Sequence, residues 1–141
     1  MNKIFLATPI LAFNSNEELQ QYKTEVRDLV SLLTAEGYEV FSEICTVSTS
    51  ADYDSPADAL KIDMAEIEKA DAFIIHYPKP MATSALIELG MAIGFKKKIL
   101  IITPERKVLP KGITNWDKLF DSVEIVEVPN LDFVNQVFKN R

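Results

Sequence analysis

The sequence predicts an α/β protein: a five-stranded parallel sheet, doubly wound, with helices on both faces. Three observations carry this. Short continuous apolar runs, KIFLA at Lys3–Ala7, AFIIH at Ala72–His76 and ILII at Ile99–Ile102, have the look of strands buried on both sides. Segments of helical periodicity separate the strands, as parallel crossovers require. No internal repeat, linker or low-complexity tract interrupts the 141 residues, so 1–141 is expected to be a single domain with one core.

Taken in order, the first strand ends at Thr8-Pro9. Ser15 with Glu18 three residues later forms a capping box that opens a helix. Leu19, Tyr22, Val26, Leu29, Val30 and Leu33 supply its buried stripe, and Gly37 closes it. Tyr38–Ser42 is the second strand. Glu43–Ser55 lacks periodicity and is rich in Ser, Thr and Asp, so it is expected to be a loop long enough to act as a lid. Ser55-Pro56-Ala57-Asp58 starts the next helix with a serine cap and proline at its first position, and that helix ends near Ala70. The third strand, an apolar helix and the fourth strand follow, then a loop over Pro104–Asn115. Val123–Val128 is the fifth strand, and Leu131–Phe138 the last helix, with Leu131, Val134 and Phe138 as its stripe.

The expected strand order is 2-1-3-4-5, the flavodoxin-like arrangement. Ligands in such sheets bind beyond the carboxyl ends of the strands, at the switch point between strands 1 and 3. The loops there are Thr8–Asn14 and Tyr77–Ser84.

Composition narrows the partners. A net charge of −6 argues against a nucleic-acid backbone or an anionic membrane. No apolar run reaches the length of a membrane span, and the start MNKIFLATPI is expected to form a strand, not a signal peptide. A single cysteine, Cys45, rules out an internal disulfide and fits a reducing, cytoplasmic setting.

Two carboxylates lie where a folded chain has no structural need for them. Glu88 is the only charged residue between Ala82 and Phe95, in a helix otherwise so apolar that burial on most sides is expected. Asp63 falls on the face marked by Leu60, Met64 and Ile67, three after the first and four before the last. A buried ionised carboxylate costs several kcal/mol unless paired or hydrogen-bonded. A held, partly desolvated carboxylate can attack a sugar anomeric carbon while a second carboxyl protonates the leaving group or fixes the sugar. The plainer alternatives are a Glu88 paired with one of Lys96–Lys98, and an Asp63 on the solvated edge of an amphipathic helix.

The pattern D-x7-A-D-A-F-I-I, a short loop, then S-A-L-I-E-L-G-M-A-I-G-F-K-K-K-I-L resembles the nucleoside 2-deoxyribosyltransferase family, including its deoxynucleoside 5′-monophosphate N-glycosidases. The match covers about the central 45 residues well and the first strand loosely; the Asp63-to-Glu88 spacing is its specific part. The resemblance implies that Glu88 attacks C1′ of the sugar to form a glycosyl-enzyme intermediate. It implies that Asp63 positions nucleophile and sugar and serves as proton donor, with no metal and no cofactor. Asp71 of the A-D pair is expected to begin the strand, not to act on substrate. Departures are equally plain: no glycine or arginine stands in Thr8–Asn14, where the monophosphate hydrolases hold a phosphate in a glycine-rich loop. Ala82 replaces an additional acid of the transferases, and Phe5 a tyrosine of their first strand.

The expected activity is cleavage or transfer at the N-glycosidic bond of a (deoxy)nucleoside or nucleotide. The alternatives are an NAD glycohydrolase using the same carboxylate and a non-catalytic nucleotide sensor. Expected to touch substrate are Thr8 and Pro9 at the switch point, Tyr53 and Asp54 in the lid, His76 at the rim, and Thr83 and Ser84 at a helix N-terminus suited to anions. His76, the only histidine, has no second histidine or cysteine near it to form a metal site. Trp116 and Phe13 could stack on a base but are better read as packing residues, Cys45 as a small hydrophobe, and Lys96–Lys98 as a helix end. The partners expected are a small nucleoside or nucleotide and further copies of the chain, as a homodimer or higher homo-oligomer, with neither nucleic acid nor membrane.

Overall fold

The computed structural model describes residues 2–9, 14–46, 56–81 and 83–140. Its strands are β1 (Lys3–Ala7), β2 (Glu39–Ser42), β3 (Ala72–His76), β4 (Lys98–Thr103) and β5 (Val123–Glu127). Its helices are α1 (Asn16–Ala35), α2 (Glu43–Thr46), α3 (Pro56–Lys69), α4 (Ser84–Gly94), α5 (Trp116–Leu119) and α6 (Leu131–Lys139), with a 3-10 turn at Arg106–Val108. All pairings are parallel and the sheet order is β2-β1-β3-β4-β5, as expected.

Strand alternation divides the core in two. Phe5, Ala7, Phe73, Ile75, Ile99 and Ile101 face one way, against Ile67 and Ala70 and against Ala85, Leu89 and Ala92. Ile4 and Leu6 face the other way, against Tyr22, Val26, Leu29 and Leu33 of α1 and Leu131 of α6. Phe5 stacks between Phe41 and Phe73, at centroid distances of 5.2 and 5.5 Å, tying three strands together on the α3/α4 face.

Local chemistry sets the boundaries. Ser15 accepts the Glu18 N–H at 3.2 Å, while the Glu18 carboxylate reaches the N–H of Asn14 instead of that of Ser15, one residue off a regular capping box. Gly37 takes φ +98°, the left-handed conformation that ends α1 at little steric cost. Asp71 accepts the Lys3 N–H at 2.7 Å and its own N–H bonds Lys3 O, fixing β1 to β3 at the end of the sheet remote from the switch point.

Three expectations need correction. Glu43–Thr46 is helical, not the start of a loop; 47–55, with the expected lid residues Tyr53 and Asp54, lie outside the described residues. The inner face of α3 is Asp63, Ile67 and Ala70, at i, i+4 and i+7. Leu60 and Met64, offset around the helix from that row, remain 40 and 42% exposed, so they do not mark the buried face. The apolar α4 is not enclosed either: Ala85, Glu88, Leu89 and Ala92 are buried, but Ile87 is 56% exposed, because the sheet and α3 cover one side only.

No helix among the described residues is long and apolar enough to cross a membrane. Ile67, one turn beyond Asp63 and fully buried, supports the row that carries this acid. Ile67→Ala is expected to destabilise the fold by about 2–5 kcal/mol, measured by urea unfolding.

Candidate active site

Three carboxyl groups converge beyond the carboxyl ends of β1–β3. Asp63 comes from α3 and Glu88 from α4, one turn past the helix start. Glu43 comes from the end of β2, where it begins α2. One oxygen from each lies within 4.8 Å of the other two. Asp63 and Glu88 are 5 and 3% exposed; Glu43 is half-buried. Asp63 is the middle member, in hydrogen-bonding contact with both glutamates.

Glu43 was absent from the sequence expectations, although strand periodicity points to it. Phe41 stacks on Phe5 on the α3/α4 face, and Glu43, two residues on, is the next position of that face. Assigning Glu43 to a loop discarded this alternation.

No lysine or arginine pairs with any of the three acids among the described residues. The expected alternative for Glu88, a partner in Lys96–Lys98, is therefore not what the structure builds. Lys97 donates instead to Glu68 O at 2.7 Å, and Lys96 takes φ 60° where α4 ends. Asp63 Oδ1 and Glu88 Oε2 are buried with no hydrogen-bond partner among the described residues. Each such oxygen has a cost unless something occupies it.

Burial dominates the electrostatics. Desolvation, then the hydrogen bond and charge of Asp63, pushes Glu43 up to about 8. Desolvation, then the Glu43 charge, pushes Glu88 up to about 8, against a lowering hydrogen bond from Asp63. Asp63 rises to about 6, chiefly by desolvation, with hydrogen bonding to Glu43 opposing. Three acids this close cannot all ionise, so near neutral pH they hold protons in common. Their spacing would admit an oxygen-preferring cation, but hydrogen bonds between carboxyl groups account for it without one.

The remaining expected residues are placed as follows. Thr8, half-buried, and Pro9, buried, follow β1 at the same end of the sheet. Thr83 caps α4, accepting the Ala85 N–H at 3.3 Å, and Ser84 is exposed at the first position of the helix. His76 is not part of the carboxyl group. It belongs to the α1 face of the sheet, where Tyr22 OH meets Nδ1 at 2.6 Å, and burial lowers it to about 4, so it is neutral. Phe13 and Ala82 lie outside the described residues. Trp116 packs edge-on against Phe120 beside the core, and Cys45 is exposed. A depression of about 610 Å³ lies on the α1 side, lined by Glu17, Tyr22, Glu25 and Lys79 among others; neither Asp63 nor Glu88 borders it.

Tyr77, also unanticipated, fixes the link from β3 to α4. Its hydroxyl donates to Met81 O at 2.6 Å and accepts the Met81 N–H at 2.9 Å, while its carbonyl accepts from Thr103 Oγ1. The start of the Glu88 helix is thereby held against β4.

Buried carboxyl groups that share protons, gathered at the switch point of a parallel sheet, suit chemistry at glycosidic bonds. The nucleoside 2-deoxyribosyltransferase family matches over residues 4–134, and the chain belongs to it. It is an enzyme of the nucleoside deoxyribosyltransferase kind. Solved structures share the fold. The CMP N-glycosidase BcmB of Clostridium botulinum is 22% identical, with 99% of this chain and 98% of that one aligned at a TM-score of 0.72. BlsM is 21% identical over 97 and 86% of the two chains, at 0.71. A deoxyribosyltransferase of Leishmania mexicana is 17% identical over 74 and 66%, at 0.54. No curated protein sequence matches the chain.

The raised carboxyl groups make a stability prediction. A group whose folded pKa exceeds its unfolded value keeps its proton on folding, so its contribution is fully present below about 4.5 and is lost as pH rises through about 8. Glu88→Gln cannot lose that proton. Its melting temperature is expected to exceed that of the wild type by about 3 °C or more at pH 8, with the gap closing at pH 4.5, in paired thermal melts.

Proposed function

We propose that the protein cleaves or transfers the N-glycosidic bond of a nucleoside or nucleotide through a Glu88 nucleophile and a glycosyl-enzyme intermediate. The observation that carries the reading is the juxtaposition of Asp63 and Glu88, both buried, both in one carboxyl cluster, with no cation beside them among the described residues. Glu88 as carboxylate attacks C1′ while the C1′–N bond breaks. The Asp63 proton passes to the departing base nitrogen, so that the base leaves neutral. Water then attacks C1′ as the C1′–O(Glu88) bond breaks, giving a proton to the Asp63 carboxylate and releasing the free sugar and the Glu88 carboxylate; a second base attacking through its N–H nitrogen in the same way gives a new nucleoside.

Burial bears on the reactivity of the cluster as a whole and does not by itself decide which group is ionised. Desolvation leaves an ionised Glu88 poorly solvated and hence reactive, and it keeps a proton within the cluster at neutral pH. Thr8 and Pro9 after β1, and Thr83 and Ser84 at the start of α4, flank the switch point and are assigned to substrate contact. Tyr53 and Asp54, outside the described residues, are likewise assigned to substrate contact. Neighbours include a CMP N-glycosidase and a deoxyribosyltransferase, which brings both acceptors, water and base, within the proposal.

We further assign a homo-oligomer, in which a second copy covers Leu60 and Met64 of α3 and Ile87 of the adjoining α4. These large apolar side chains are 40–56% exposed on packed neighbouring helices.

The test is a panel of 2′-deoxynucleosides, ribonucleosides, their 5′-monophosphates and NAD, with released base measured by chromatography. At least one substrate is expected to turn over, with Glu88→Ala reducing kcat by about 10³-fold or more and Asp63→Asn by about 10²-fold. EDTA is expected to change nothing. Turnover that survives Glu88→Ala sinks the nucleophile assignment; ligand binding without product from any substrate favours a sensor.

A further inference from the structure

We propose that Glu43 is a third working carboxyl of this site, a positioning residue whose protonated form donates a hydrogen bond to Asp63 and so turns the Asp63 proton towards Glu88. The proposal rests on the reading of Glu88 as nucleophile and Asp63 as assisting acid.

The argument is one of proton counting. Asp63 lies in hydrogen-bonding contact with both Glu43 and Glu88, and one oxygen from each of the three falls within 4.8 Å of the others. An ionised carboxylate only accepts, so each of these two hydrogen bonds needs a proton of its own. A carboxyl group carries at most one. If Asp63 is to present its proton towards an ionised Glu88, the bond between Glu43 and Asp63 must take its proton from Glu43. The competent state is thus Glu43–COOH, Asp63–COOH and Glu88–COO⁻, with two protons over three groups. Were Glu43 ionised, the single Asp63 proton would be drawn away from Glu88, and the site would carry a second negative charge.

The surroundings keep Glu43 protonated. From α3 and α4 it faces Asp63 and Glu88, both acids, whereas β1 and β2 contribute Phe5, Ala7 and Phe41 on that face. Helix α1 meets α2 on the other side of the sheet, through Ile44 packed among Tyr22, Val26 and Leu29. No cation faces Glu43 among the described residues. Burial comes first, and the hydrogen bond and charge of Asp63 second, in raising it to about 8.

In the reaction, Asp63 gives its proton to the base nitrogen as C1′–N breaks and C1′–O(Glu88) forms. The new Asp63 carboxylate is then held by the Glu43 O–H already bonded to it. No proton need enter from solvent before the base departs.

Base release from 2′-deoxycytidine and from 2′-deoxycytidine 5′-monophosphate, followed from pH 5 to 9, tests the proposal in wild type, Glu43→Gln, Glu43→Ala and Glu88→Ala. Glutamine keeps the donor to Asp63 but cannot ionise. It is expected to retain kcat within about threefold of wild type at pH 6 and to lose activity at a higher pH than wild type does on the basic side. Glu43→Ala is expected to lose about tenfold or more in kcat with KM changed less than about twofold. A glutamine variant as weak as the alanine variant, or one with the wild-type basic limb, overturns the proposal. Full turnover by Glu88→Ala instead removes the nucleophile reading beneath it. Should wild type turn over neither probe, 13C NMR of the side-chain carboxyl carbons decides. Glu43, identified by the resonance missing from Glu43→Gln, must titrate above about 6 together with an inflection in Asp63, and an independent titration near 4.5 refutes the role.

Discussion

Everything at this site depends on one constraint: three carboxyl groups are buried together, and among the described residues no basic side chain pairs with them. In water each would ionise near its ordinary pKa and repel the others weakly. Here burial makes ionisation costly, and proximity makes a second ionisation costlier still. The groups meet that constraint by sharing protons. A cation would neutralise them more simply, but it would also quench a nucleophile. Lys97, beyond the far end of α4, bonds the backbone of Glu68. On the proposed mechanism the acids contribute reactivity at the expense of stability, a common trade at functional sites.

The fold supplies the convergence. In a parallel sheet of this order, neighbouring strands deliver their carboxyl ends, and the helices that follow, to one edge. β2 brings Glu43, α3 brings Asp63 across the top of the same face, and the link from β3 starts the helix of Glu88. Packing beneath them is continuous, from Phe41 through Phe5 to Phe73. The two hydrogen bonds between Tyr77 and Met81, one donated by each residue, stiffen the link that leads into the Glu88 helix. The opposite face of the sheet carries the other buried polar pair, Tyr22 and His76, apart from the carboxyl chemistry.

Much of this was legible in the sequence, because parallel strands buried on both faces give runs that periodicity reads well. KIFLA, AFIIH and ILII mark β1, β3 and β4, and the strand order followed from them. Glu88 was legible because a lone acid in an apolar helix is conspicuous. Asp63 was located correctly for a partly wrong reason. Leu60 and Met64 suggest an inner face that they do not occupy, and the acid itself begins the inner row with Ile67 and Ala70. Glu43 was missed because it follows a short edge strand and precedes a polar stretch, where local pattern fades and only the register of Phe41 on Phe5 reveals its direction. His76 was assigned to the rim from its position at a strand end. Alternation along β3 places it with Ile74, on the α1 side, and so predicts its partner better than its position does.

The assignment of Glu88 as the attacking group is the claim on which the mechanism turns, and a trapped intermediate addresses it most directly. A 2′-fluorinated analogue of whichever nucleoside or nucleotide is turned over should slow hydrolysis of the glycosyl ester, allowing the denatured protein to be digested and mapped by mass spectrometry. The account predicts a sugar adduct on the peptide containing Glu88, lost in Glu88→Gln. Turnover of the analogue with no adduct on the protein, or an adduct on any other residue, would contradict it.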